Sequence, residues 1–298
     1  MDTPNGRSRL AKLREQCAKE GLDDIQHIEG VDGKTAPQEN VGKLCQIFCT
    51  SVMIGCGLSH MRFWNEVVRQ DLPYALVLED DAVLLPNFKA RMMAAIHHVP
   101  NDHHILLLGC FVCGMSKPAA VDGKGVRDMR RKHFGGTHAY IVSQKGARFL
   151  VNNVPRVNYH IDVQLARVPG IRIYATKTNL AVQNGEDTSS NAELGFPVAL
   201  NGLLSKIKDR DEMSLAFYLN AAIARVGTMK HHVTITGIVL LFFLLGILRV
   251  PWTYIAIYSV GDMAFYPPGS LKDPMTKLAF YGLGLQMRNP MKLFMHRR

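Results

Sequence analysis

Leu72-Pro-Tyr-Ala-Leu-Val-Leu-Glu-Asp-Asp81 is the stretch that decides the fold. Residues 74–78 are apolar or aromatic without a break, with Pro73 before them and three acids behind. A short continuous run of this kind predicts a buried central strand, because a strand covered on both faces shows no alternation. Similar runs lie at 105–108, 138–142 and 171–175. Helical patterns fall between them. Leu10, Leu13 and Cys17 recur at spacings of three and four within 9–21, with Gly21 as a stop. Residues 43–70 read as a helix in two pieces broken near Gly55-Cys56-Gly57, the second carrying Leu58, Met61, Trp64, Val67 and Val68 on one face. Ser143 starts another helix, through Gly146 to Val151. Residues 25–31 read as a short strand before a turn at Asp32-Gly33. Strands alternating with helices predict an α/β sandwich.

The three acids give the chain its chemistry. Glu79, Asp80 and Asp81 stand at the carboxyl end of a predicted strand, where open α/β sheets bind ligands. Adjacent carboxylates repel one another, so their ionised state calls for a cation, and a hard divalent ion such as Mn²⁺ or Mg²⁺ suits oxygen ligands. Such an ion can bridge to a diphosphate. If the backbone stays extended, residues 79 and 81 share a side, which makes Glu79 and Asp81 the metal-facing pair. A turn would instead bring Asp80 and Asp81 into play together. The plain alternative is a solvated acidic turn.

Composition narrows the partners. The 298 residues carry a formal net charge of +10, which favours anionic partners. Lys and Arg are scattered, with no long basic run, zinc-finger spacing or RNA-binding signature, so no nucleic-acid partner is expected. Six cysteines include one CxxC, Cys110 to Cys113, which reads as two buried thiols.

The character of the chain changes near residue 205. Residues 1–204 read as one domain, and 205–298 as a helical region. Residues 233–248 carry no charge, and Trp252, Tyr254 and Tyr258 lie beside them as an aromatic belt would. A spanning helix needs about 20 apolar residues, so this run is short for one. The expectation is a membrane-associated protein held by residues 233–260; the alternative is a buried helix hairpin.

Several blocks resemble glycosyltransferase family 25, which includes lipooligosaccharide β-galactosyltransferases and collagen galactosyltransferases. They are Gly57-Leu-Ser-His60, Phe63-Trp64 and the stretch 72–81; then Gly136-Thr-His-Ala-Tyr-Ile-Val-Ser143 with Lys145-Gly-Ala-Arg148; then His160-Ile-Asp162. A weaker match comprises Arg9, Gln16, Gly21-Leu22 and Val31-Asp-Gly33. Together they cover roughly residues 9–190. The resemblance implies a GT-A-like, Rossmann-type nucleotide-sugar-binding domain, a UDP-sugar donor, a divalent metal and inversion at the anomeric carbon. The acidic triplet would be the equivalent of the family's DxD motif. The family also opens with a strand ending in an Asn-Leu pair. This sequence starts at or after that point, so the first strand is expected to be missing. In the block from Leu180, Gln183 matches and the following residues through Ser190 are altered.

Within that frame each remaining candidate has a functional and a plain reading. An inverting transfer needs a carboxylate to take the acceptor hydroxyl's proton. Asp162 is the first choice, with Glu186 and Asp187 in reserve; the plain reading of Asp162 is a helix cap. His160 is a candidate metal ligand or orienting group. His60 reads as a donor-pocket residue or a buried, hydrogen-bonded histidine. Gly136 permits close backbone approach to a ligand beside His138, whose alternative is packing at a strand start. Asp32 is a candidate contact to ribose or base, or a simple Asp-Gly turn. Arg9 and Asp80 complete the expected donor site, Arg9 reaching the diphosphate. The expected acceptor is a glycan, lipid-linked glycan or glycoprotein. The competing function is a degenerate, non-catalytic, membrane-anchored protein that binds glycan or nucleotide. A metal-dependent phosphotransferase or nuclease is disfavoured by the lack of a P-loop and of a second acidic cluster.

Overall fold

A computed structural model of the chain describes residues 4–111, 113, 125–129, 134–183, 206, 222–225, 232–265 and 272–287. Its framework is a mixed five-stranded sheet. The strands are β1 (Tyr74–Leu78), β3 (Ile105–Phe111), β4 (Val126–Asp128), β5 (Gly135–Ser143) and β6 (Ile173–Thr176), in the order β1-β5-β3-β6-β4. β3 and β6 run parallel, and β5 is antiparallel to both its neighbours. A two-stranded sheet pairs β2 (Ala82–Leu84) with β7 (Ala181–Gln183).

β3 shows why the sheet is sandwiched. Ile105 through Leu108 are fully buried. Ile105 and Leu107 face a cluster containing Trp64, Ala147, Leu150, Ile161 and Leu165. Leu106 and Leu108 face Phe88, Met92 and Ala95. One face is therefore covered by α3 (Ser51–Arg69), α5 (Gln144–Asn153) and α6 (Ile161–Arg167), the other by α4 (Phe88–His98). Each such side chain contributes about 1.5–3 kcal/mol on burial. The expected α/β sandwich is present, but its central buried strands are β3 and β5. β1 has one sheet neighbour among the described residues, and only Val77 of its five residues is buried. Its apolar residues are used by helices instead: Leu78 packs with Leu13 and Cys17 of α1 (Pro4–Lys19).

Three local expectations are corrected. Residues 25–31 form no strand. They lie along α3, tied by Val31 N–H to Ser59 Oγ and by Arg62 to Glu29 O, so their polar groups are used by the helix and not by a sheet. The helix break falls between α2 (Lys43–Phe48) and α3, where Thr50 caps α3 by accepting from Met53 N–H. The glycines are inside α3 because neighbours press on them: a Cβ at Gly55 would stand 2.5 Å from Val31 O, and one at Gly57 2.8 Å from Val157. The CxxC cysteines are joined as a disulfide, as are Cys45 and Cys49; Cys17 and Cys56 are free.

The membrane-associated expectation is also overturned. Among the described residues no helix is long and apolar enough to cross a membrane. The uncharged run forms α7 (Ile235–Ile247), whose 13 residues reach about 20 Å at 1.5 Å per residue, against a hydrocarbon core about 30 Å thick. The chain then leaves the helix at Arg249, which has a φ of 56°, and Pro251 follows. α8 (Trp252–Phe265) and α9 (Lys272–Met287) complete a helical unit around Phe242, Ile255 and Tyr281. α7 and α9 approach closely at Gly246 and Gly284, where added methyl groups would overlap Tyr281 O and Phe243 O. One side of the run, with Val239 and Phe242, is buried in this packing, while Leu240, Leu241 and Leu244 stay exposed.

Candidate active site

The register of β1 against β5 builds the site. Leu78 sits opposite Ala139, and Glu79 N–H continues the ladder by donating to His138 O at 2.9 Å. The carboxyl end of β1 therefore lies beside Gly136, Thr137 and His138. Val77 points into the α3-facing core, so Glu79, two residues on, emerges on the same side and meets His60 of α3.

The acidic triplet then turns. Ala82 N–H donates to Glu79 O at 3.0 Å, closing a four-residue turn from β1 into β2. The extended arrangement is thereby excluded, and the three carboxylates take separate surroundings. Glu79 Oε1 accepts from Thr137 Oγ at 2.7 Å and lies 3.2 Å from His60 Nε2. Burial alone would raise this carboxyl, but the His60 contact and the Thr137 bond hold it down at about 2. Asp80 is more exposed and pairs with Arg9 of α1, Nη2 to Oδ2 2.9 Å. Arg9 is accordingly engaged by the triplet itself. Asp81 Oδ2 accepts from Gln183 Nε2 at 2.6 Å, whereas its Oδ1 is buried with no hydrogen-bond partner among the described residues. Burial, reinforced by Glu79, pushes the Asp81 carboxyl up to about 7.

The other wall comes from α6. Gly136 adopts a φ of 81°, a left-handed conformation open to glycine, and this aims its N–H at Asp162 Oδ2, 3.0 Å away. Asp162 Oδ1 receives Val163 N–H and His160 Nδ1, both at 2.6 Å. Burial works against the charge of Asp162, but His160 and the two backbone N–H groups win and hold its carboxyl below the ordinary range. Burial likewise opposes a charged His160, and Asp162 overrides it, raising the imidazole. The negative charge of Glu79 reaches His160 as well. His138 is buried against Ala181 O at 3.3 Å, and burial lowers its imidazole. Gly109 of β3 makes room for it, since a Cβ there would overlap His138 Nε2 and Ala181 O.

The fold thus gathers Glu79, Asp80, Asp81, Arg9, His60, Gly136, His138, His160 and Asp162 at one end of the sheet. Asp32 closes its own turn, its Oδ1 accepting from Lys34 N–H at 2.9 Å. Glu186 and Asp187 lie outside the described residues. Sequence reasoning passed over Cys56, Thr137 and Tyr140. Cys56 and His60 are four apart on α3, a helical spacing that was the available signal. Cys56, His60 and Glu79 each bring a donor atom within 4.8 Å of the others. The Cys56 thiol is pushed well above its ordinary value by burial and by the nearby carboxylates, so it does not present a thiolate.

Residues 5–165 match the model of glycosyltransferase family 25 (LPS biosynthesis protein). The chain belongs to glycosyltransferase family 25. The match takes in Arg9, the triplet, His60, Gly136, His138, His160 and Asp162. Procollagen galactosyltransferase 1-A of Xenopus laevis is 27% identical over 150 residues, 45% of this chain and 24% of that protein. Procollagen galactosyltransferase 2 of Mus musculus is 29% identical over 105 residues, 34% of this chain and 17% of that protein. Inactive glycosyltransferase 25 family member 3 of Homo sapiens is 32% identical over 106 residues, 34% of this chain and 18% of that protein. The matched segments span a quarter or less of these relatives' lengths.

Proposed function

We propose that this family 25 chain is a metal-dependent hexosyltransferase, moving galactose in the first instance from a UDP-sugar to a hydroxyl of a glycan, lipid-linked glycan or protein acceptor, with inversion. The galactose assignment follows the relatives named as galactosyltransferases. The observation that carries the reading is Asp81. A buried carboxylate oxygen without a donor, beside a Glu79 held ionised, is a costly arrangement for a protein alone. It becomes a favourable one when a cation completes it.

Glu79 and Asp81 would hold the ion, with His160 a candidate for a further ligand. Bound Mn²⁺ or Mg²⁺ would supply positive charge beside the diphosphate of the leaving nucleotide. Gln183 anchors Asp81, and Arg9 fixes Asp80 and keeps a guanidinium at the turn. Asp162 already accepts three hydrogen bonds, so we assign it to act with His160 as a pair. With Nδ1 directed at Asp162, His160 Nε2 is the basic atom left to meet an acceptor hydroxyl or the cation.

A panel of UDP-sugars with Mn²⁺, reading both UDP release and sugar transfer to glycan acceptors, tests the proposal. Metal-dependent turnover of one donor is expected. A second reading, binding of glycan or nucleotide without turnover, draws on the relative named inactive. Tight UDP binding with no release or transfer across the panel would select it.

A further inference from the structure

His60 and Trp64, four apart on α3, both reach Tyr140 of β5. Trp64 and Tyr140 are fully buried, His60 and Thr137 nearly so, which shields the group from bulk water. The direction of each hydrogen bond follows from the chemistry of the groups. An indole N–H can only donate, so the Tyr140 oxygen, 3.0 Å away, accepts from Trp64 Nε1. The Tyr140 O–H then has one remaining partner among the described residues, His60 Nδ1 at 2.9 Å. Nδ1 must therefore accept. A neutral imidazole with a bare Nδ1 carries its proton on Nε2. That N–H faces Glu79 Oε1 and Thr137 Oγ, each 3.2 Å away, while the Thr137 hydroxyl donates to the same Oε1.

We propose that Tyr140 is a positioning residue for Glu79: its hydroxyl fixes His60 as the Nε2–H tautomer, and His60 with Thr137 turns Glu79 Oε1 inward and leaves Oε2 for the cation. This rests on Glu79 being a metal ligand, as proposed above. It also removes His60 from the Cys56–His60–Glu79 donor group, because Nε2 carries a proton in place of a lone pair. Three donor atoms that look like a metal site are then one ligand and its support.

The test uses the full chain labelled with ¹⁵N-histidine. His60 is identified by the signal missing from His60→Gln. The expected spectrum shows the Nε2–H tautomer in the wild type. Mn²⁺ affinity, measured by electron paramagnetic resonance of the free ion without any sugar nucleotide, should fall about 10-fold in Tyr140→Phe, as outer-shell partners of metal ligands commonly require. Trp64→Phe removes a hydrogen bond from the same core but keeps the Tyr140–His60 link, and should leave the affinity unchanged. A proton on Nδ1 in the wild type overturns the proposal, as does an equal loss of affinity in both variants. If Tyr140→Phe fails to fold, the wild-type tautomer still decides. A wild type that shows the expected tautomer but binds no Mn²⁺ overturns the metal reading and leaves the hydrogen-bond chain standing.

Discussion

At the scale of single residues, the site is a set of carboxylates given different tasks by their neighbours. Asp81 is the sharpest case. Asp81→Asn keeps the shape and still offers Gln183 an oxygen, but removes the charge that a cation would meet. Calorimetry should show Mn²⁺-dependent UDP binding lost while the thermal unfolding transition persists; unchanged UDP affinity would refute the assignment. Asp162→Asn should keep Mn²⁺ and UDP binding and lose sugar transfer by roughly 10²–10⁴-fold, the range for general-base catalysis. If metal binding is lost instead, the His160–Asp162 pair belongs to the cation. The pair also sets a pH dependence without metal. Asp162 lies below its ordinary 3.8 in the fold, so its contribution is present above that value and is lost as pH falls through the folded one. His160 lies above 6.5, so its contribution is present below 6.5 and is lost as pH rises through the folded value. Both act together between 3.8 and 6.5. In chelator, His160→Gln should therefore lower the melting temperature more at about pH 5.5 than at about pH 8.5. An equal drop at both would mean the pair is not ionised in the fold.

At the scale of elements, glycines separate propensity from packing. Alanine is the better helix former by about 0.8–1.0 kcal/mol. In α3, however, a Cβ at Gly55 would press on Val31 O at 2.5 Å and Gly33 N at 3.0 Å, both backbone atoms. Gly55→Ala should therefore destabilise the protein, by about 1–3 kcal/mol, as overpacking does. Gly282 in α9 meets nothing within 4 Å. There propensity is unopposed, and Gly282→Ala should stabilise by about 0.5–1 kcal/mol. Urea unfolding of both variants checks the signs; a more stable Gly55→Ala would show that residues 31–33 yield freely. The same contrast explains the misplaced helix break. Gly55-Cys56-Gly57 looks like a breaker in one dimension, and only the segments packed on α3 make those glycines part of it. Thr50, an ordinary N-cap residue, marked the true boundary.

At the scale of the whole molecule, the described strands of the five-stranded sheet and the described site residues all precede residue 184, and the family match ends at residue 165. We propose that residues 1–204 fold as one domain. A chain ending at residue 204 should melt cooperatively and bind UDP and Mn²⁺ as the full chain does; loss of either would make the C-terminal helices part of the domain. The sequence alone determined much of this protein. Continuous apolar runs marked β1, β3, β5 and β6, since a strand needs no alternation when helices or sheet neighbours bury it. The spacing of Leu10, Leu13 and Cys17 marked α1, and the acids after β1 marked the site. These are local or periodic properties, written in consecutive residues. Tertiary structure decided what depends on partners distant in the chain. β1 went to the sheet edge because β5, not β1, is the strand that pairs with β3. The triplet became a turn because β2 pairs with β7, about a hundred residues away. The uncharged run became a packed helix because Gly246 and Gly284 let α7 and α9 touch. Asp81 was left with a buried oxygen that meets no hydrogen-bond partner among the described residues because Gln183 reaches only one side of its carboxylate. Hydrophobic pattern specifies what must be buried, and the long-range pairings choose what it is buried against.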